Sequence, residues 1–193
     1  GILTFLQHPD VTVLQAMLLK FKPVNMDVLP LYIVLLLIFT PALWLLIRAP
    51  NIALCTSALL YALMWTFKWN VPAYPDGYWF FNPFAWQLLF VFGGWCAMGG
   101  ADRLRDWINS RTVLIVAILY LLFGLAIAMT WHIPRLATFV PRLLADTIYP
   151  IDKTNLDVLR IAHFLSLAIV TLWLVPRNAA WLKSPLAWPA VIC

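Results

Sequence analysis

Charged residues cut this chain into long apolar blocks. Val28 to Ile47 is an uncharged run between Asp27 and Arg48, and Ala49 to Phe67 is another between Arg48 and Lys68. No residue from Gly77 to Ala101 carries a charge, and Thr112 to Trp131 is equally free of them. A fifth block, from about Leu156 to Val175, is apolar but carries polar positions in its first half. At ~1.5 Å rise per residue, each block is long enough to cross the ~30 Å hydrocarbon core of a bilayer as a helix. Lipid offers the backbone no hydrogen-bond partners, so a segment that satisfies its own N–H and C=O groups is the default. The pattern predicts an all-α, polytopic transmembrane helical bundle. About five complete spans are expected, near 28–47, 50–68, 83–100, 112–131 and 156–175, with the start of a sixth from about Leu186.

Local signals refine these elements. Pro30 falls in a first turn, where its missing N–H costs little, whereas Pro41 lies deeper and should kink its helix unless neighbours repair the lost bond. Asn82-Pro83 reads as a cap followed by a first-turn proline, so the third span should start there. Gly93-Gly94 and Gly99-Gly100 allow a close helix approach or a weak helix end. Ahead of the first span, Val13, Leu14, Met17, Leu18 and Phe21 fall on one face of a segment that Asp10 can cap and that Lys20 and Lys22 end. This predicts an interfacial amphipathic helix lying along the membrane.

Composition agrees with a lipid environment. The chain is 64% hydrophobic and 11% charged, and all eight acidic residues are Asp, whereas a soluble domain carries about 25% charged residues. Without Glu, few water-facing helices stabilised by spaced ion pairs are expected. The net charge of +5 reads as loop charge in a membrane protein, not as a nucleic-acid footprint. Arg48, Arg103, Arg105, Arg111, Arg177 and Lys183 sit in the shorter loops, which places that side in the cytoplasm. Lys20, Lys22, Lys68, Arg135, Arg142 and Lys153, with the stretch Tyr74 to Gln87, then face outward. Cys55, Cys96 and Cys193 have no metal-ligand or redox spacing. The chain is expected to be one integral-membrane domain over 1–193, a fragment of a longer multi-span protein.

Two polar clusters interrupt the apolar pattern. The first, YPDGYWFFNPFAWQ, spans Tyr74 to Gln87. Its aromatic residues read as an interfacial belt, since amphipathic rings settle at headgroup depth. A sharper reading is a carbohydrate platform: the flat aromatic faces pack on sugar C–H faces, and Asp76, Asn82 and Gln87 bind hydroxyls. The second, YPIDKTNLDVLRIAHFL, spans Tyr149 to Leu165. Asp152, Lys153 and Asn155 precede the fifth helix, and Asp157, Arg160, His163 and Ser166 recur every three residues along it. Interfacial anchoring and an Asp157–Arg160 pair account for part of this. Charge deep in a bilayer costs roughly 2.5–3.5 kcal/mol, so the deeper polar groups should face a cavity. His163 is a candidate general base or hydroxyl positioner, because an unperturbed imidazole titrates near neutrality.

Three stretches resemble the OpgC family of bacterial inner-membrane proteins: PVNMDVLPLYIVLLL (Pro23 to Leu37), WNVPAYPDGYWFFNPFAWQLLFVFGGWC (Trp69 to Cys96) and DKTNLDVLRIAHFLSLA (Asp152 to Ala168). The resemblance extends from about Gln7 to the end. It implies a multi-pass inner-membrane protein related to acyltransferases, one that adds succinyl groups to osmoregulated periplasmic glucans. The implied donor is a succinyl-CoA-type thioester and the implied acceptor a periplasmic glucan hydroxyl, with no bound cofactor. The polar stripe on the fifth helix, and not a matched family motif, makes His163, Arg160 and Asp157 the expected catalytic residues. Trp79, Phe80, Phe81, Asn82, Trp86, Gln87, Asp76, Asp152, Lys153 and Asn155 are expected to bind substrate. The related acyltransferases carry an Arg and a His on a first helix, that His being taken as the catalytic base, and Gly1 to Val28 has no match to them. The stretch is thus expected to lack one catalytic element. A component of a glycan or lipid transporter or flippase is the alternative, because kinked helices and midplane polar groups serve that role too.

Overall fold

The computed structural model describes residues 5–6, 8–21, 28–132 and 151–175. The expected start of a sixth span, and Lys22, Arg135, Arg142, Arg177 and Lys183, lie outside them. Among the described residues the regular elements are helices: α1 (Pro9–Met17), α2 (Val28–Arg48), α3 (Pro50–Phe67), α4 (Pro83–Trp95), the short α5 (Arg105–Ile108), α6 (Arg111–His132) and α7 (Val158–Leu174). Helix α4 continues through Cys96–Gly100 into Ala101–Arg103. Four helical segments are long and apolar enough to cross a membrane: Val28–Arg48, Pro50–Phe67, Pro83–Arg103 and Arg111–Thr130. The fifth expected span is shorter than the sequence pattern suggested. α7 has 17 residues, about 25 Å of helix, because the chain before Val158 is held in a turn.

The chain forms two compact units. Unit 1 comprises residues 1–104 and 151–157, and unit 2 comprises 105–150 and 158–193. In unit 1, α2, α3 and α4 pack on one another. Leu46, Ala53, Val91 and Trp95 form the buried cluster, with Ala42, Leu45 and Phe92 around it. Gly94 makes this contact possible: a Cβ there would lie 2.8 Å from Leu46 Cδ1, closer than carbon atoms approach. The second glycine pair has a different use. The Ala101 N–H reaches the Cys96 carbonyl five residues back, Met98 leaves helical geometry, and Gly99 takes φ +90°, a conformation open to glycine. Wide turns of this kind interrupt helices locally. A Cβ on Gly100 would overlap the Trp95 ring.

Sequence expectations about helix ends fared unevenly. Asn82 does cap α4, its side-chain oxygen accepting from the Phe84 N–H, with Pro83 in the first turn. α2 runs unbroken through Pro41. Asp10, by contrast, does not cap α1. His8 occupies the cap position, Pro9 opens the helix and Asp10 lies in its first turn. Val13, Leu14, Met17 and Leu18 are exposed on α1, an arrangement that suits lipid better than water. In unit 2, α6 and α7 pack together.

Candidate functional site

The first polar cluster folds as a tight loop in unit 1. The Trp79 N–H donates to the Val71 carbonyl at 2.9 Å, and the Ala73 N–H donates to the Gly77 carbonyl at 2.9 Å. Gly77 takes φ +88° at the turn, where a side chain would be strained. Phe21, just past α1, pairs with Tyr74 in an isolated parallel bridge, so the N-terminal segment borders this turn. The aromatic side chains divide into two sets. Tyr78 is 71% exposed and Phe80 47%, whereas Trp79 is 2% exposed, so Trp79 supports the turn from inside. Phe81 stands edge-on to both Phe80 and Trp86, with centroids 5.0 and 5.2 Å away. Trp69 stacks on Phe67 at 5.4 Å. Asp76 is exposed at the tip.

Asn82 ties this turn to the second cluster. It is fully buried. Its Nδ2 donates to the Trp69 carbonyl at 2.6 Å and to Asn155 Oδ1 at 2.8 Å, while its Oδ1 accepts from the Phe84 N–H at 3.1 Å. The Asn82 N–H donates to the Thr154 carbonyl at 3.1 Å, and Trp86 Nε1 donates to the same carbonyl at 3.3 Å. Asp152 organises the partner loop: its Oδ1 accepts from the N–H groups of Thr154 and Asn155, and its Oδ2 accepts from Asn155 Nδ2 at 2.6 Å. Charge-assisted bonds of that length are the stronger kind. The Asp157 N–H closes the loop on the Asp152 carbonyl at 3.1 Å. Leu156, at φ +51°, is held by burial and by Tyr61, whose hydroxyl donates to its carbonyl at 2.8 Å. A non-glycine residue in this region persists only where its surroundings fix it. Lys153 is exposed beside this network.

Gln87 is also committed within the protein. Its Oε1 accepts from Ser57 Oγ at 2.6 Å, and its Nε2 donates to the Ser57 carbonyl at 2.9 Å. The expected hydroxyl binders Asn82 and Gln87 are therefore buried and joined to protein groups, while Asp76 and Lys153 keep exposed charges. Sequence reasoning passed over Ser57, Tyr61 and Thr154. Ser57 and Tyr61 stand four residues apart within an apolar run, and that spacing was the available signal. Thr154 contributes a backbone carbonyl, which no side-chain pattern reveals.

The remaining expected residues lie in unit 2. Along α7, Arg160 is half-buried, His163 exposed and Ser166 buried. The His163 ring lies against Gly124 of α6, where an added Cβ would be 3.6 Å from Nδ1, and 6.4 Å from the Tyr120 ring. Tyr120 donates its hydroxyl to the Leu159 carbonyl at 2.8 Å. Arg160 and His163 have no hydrogen-bond or ion-pair partner among the described residues.

No curated protein and no solved structure matches the sequence. One family model, described as "OpgC protein", matches residues 1–193. A match over all 193 residues establishes that the chain belongs to the OpgC family.

Proposed function

We propose that this chain is part of a membrane-bound O-acyltransferase that transfers a succinyl-type acyl group to osmoregulated periplasmic glucans in the bacterial inner membrane. Membership of the OpgC family over residues 1–193 is the observation that carries this reading. The shape of unit 1 supports its acceptor half. Tyr78 and Phe80 offer exposed aromatic faces, Phe81 and Trp86 continue from Phe80 in edge-on contacts, and the exposed Asp76 and Lys153 can bind sugar hydroxyls. The buried network around Asn82 holds this surface in one geometry, which lowers the ordering cost of binding a flexible glucan.

The donor is a succinyl-CoA-type thioester. In transfer, a glucan hydroxyl attacks the thioester carbonyl, a C–O bond forms, the C–S bond breaks, and the hydroxyl proton passes to a base that returns it to the departing CoA thiolate. His163 is the base in this reading, since an imidazole ring nitrogen can take the hydroxyl proton. Arg160 pairs with the anionic end of the acyl group, and Asp157 is the third residue assigned to the step. The test is the succinyl content of periplasmic glucans after the full-length gene is deleted and then restored. Loss on deletion and return on restoration is expected. Unchanged succinylation rejects the proposal, and glucans missing from the periplasm altogether would point to transport instead.

A further inference from the structure

The end of unit 1 that bears Arg48 and Arg103 has a feature separate from the aromatic turn. Asn51, in the first turn of α3, accepts at Oδ1 from Trp95 Nε1 at 3.1 Å and from Arg103 Nη1 at 2.8 Å. The other guanidinium N–H groups of Arg103 have no hydrogen-bond partner among the described residues, and neither has Asn51 Nδ2. Arg48, the last residue of α2, lies over the Trp44 ring at 4.4 Å. Tryptophans paired with arginines at span ends mark the level of lipid headgroups. From Asn51 an open groove of about 280 Å³ runs along α3, lined by Ile52, Cys55, Thr56 and Leu59. Those residues recur at helical spacing, so the groove follows one flank of the span for about 12 Å.

We infer that this groove is a binding site for an anionic phospholipid of the bilayer. The phosphate is held by Arg103 and Asn51, and one acyl chain lies along Ile52, Cys55 and Leu59. Charge complementarity selects this occupant. Arg48 and Arg103 outweigh the neighbouring Asp102 at this end, and the Trp95–Asn51–Arg103 chain holds Arg103 at the polar mouth of an apolar track. The first N–H groups of α3 add a favourable dipole for an anion at the same place. A zwitterionic lipid fits the track but gains less from the mouth. The inference does not rest on the acyltransferase reading.

Cys55 provides the reporter, because it lines the groove and is exposed. The full chain, with Cys96→Ala and Cys193→Ala, is labelled at Cys55 with a small fluorophore and reconstituted in phosphatidylcholine vesicles. Chain-brominated phosphatidylglycerol or chain-brominated phosphatidylcholine is then titrated in. Half-maximal quenching by the glycerol lipid is expected at about fivefold lower mole fraction, the weight of one basic group near an anionic lipid. Arg103→Gln should remove that preference and Arg103→Lys should keep most of it. Soluble glycerol phosphate at millimolar concentration should not reverse the quenching, which separates a lipid from a free phosphate. Equal quenching by the two lipids in the unsubstituted-Arg103 protein overturns the inference, whether or not the variants fold. So does reversal by glycerol phosphate.

Discussion

The polar residues of unit 1 and those of α7 differ in how their hydrogen bonds are used. In unit 1 the network from Trp69 through Asn82 to Asn155 and Asp152 is closed, each carboxamide and carboxylate meeting protein donors or acceptors. On α7, Arg160 and His163 meet none among the described residues. Burying a polar group without a partner costs roughly 1–3 kcal/mol, so closed networks hold a fold in one arrangement. Polar groups left open on an apolar helix stabilise nothing by themselves, and their presence calls for a functional account. The turn and its loop form the scaffold, and the α7 residues are the candidates for chemistry.

That contrast can be broken at several points. Asn82→Ala removes the α4 cap and both Nδ2 bonds while leaving the Trp69 carbonyl and Asn155 unmet. Thermal unfolding in detergent should show a loss of about 2–4 kcal/mol, and a loss under 1 kcal/mol would mean the network does not hold the turn. Gly94→Val forces α2 and α4 apart at Leu46 and should cost about 1–3 kcal/mol. Adding Leu46→Ala should return part of it, and no recovery would place the damage elsewhere. The Ser57–Gln87 pair is tested by a double-mutant cycle with Ser57→Ala and Gln87→Leu. A coupling of about 1 kcal/mol is expected, whereas strict additivity would show the pair to be incidental.

The smallest effect on folding should come from His163→Ala, within about 0.5 kcal/mol. In the full-length protein the same change should lower glucan succinylation roughly 10²–10⁴-fold, the usual weight of a general base. A destabilised protein with normal transfer would reverse the assignment of His163 and the Asn82 network.

Much of the helical layout was legible because its causes are local. An uncharged run such as Val28–Ile47 is long enough to span and too apolar for water. Asn82-Pro83 marked the start of α4 because a capping carboxamide and a first-turn proline act within three residues. Asp10 misled for a related reason: Pro9 can open the helix one residue earlier, so two local signals competed and the proline won. The length of α7 was misjudged because hydropathy does not register the turn that Asp152 builds from backbone N–H groups.

What the sequence determined by itself was the solvent, the approximate helices, and which residue types had reason to be noticed. Tertiary structure alone decided their roles, because those depend on partners distant in the chain. Asn82 and Asn155 are 73 positions apart, and Ser57 and Gln87 are 30 apart. A carboxamide looks the same in the sequence whether it will bind a ligand or a backbone carbonyl. Only packing shows that Asn82 and Gln87 are buried against other protein groups while His163 meets no hydrogen-bond partner among the described residues.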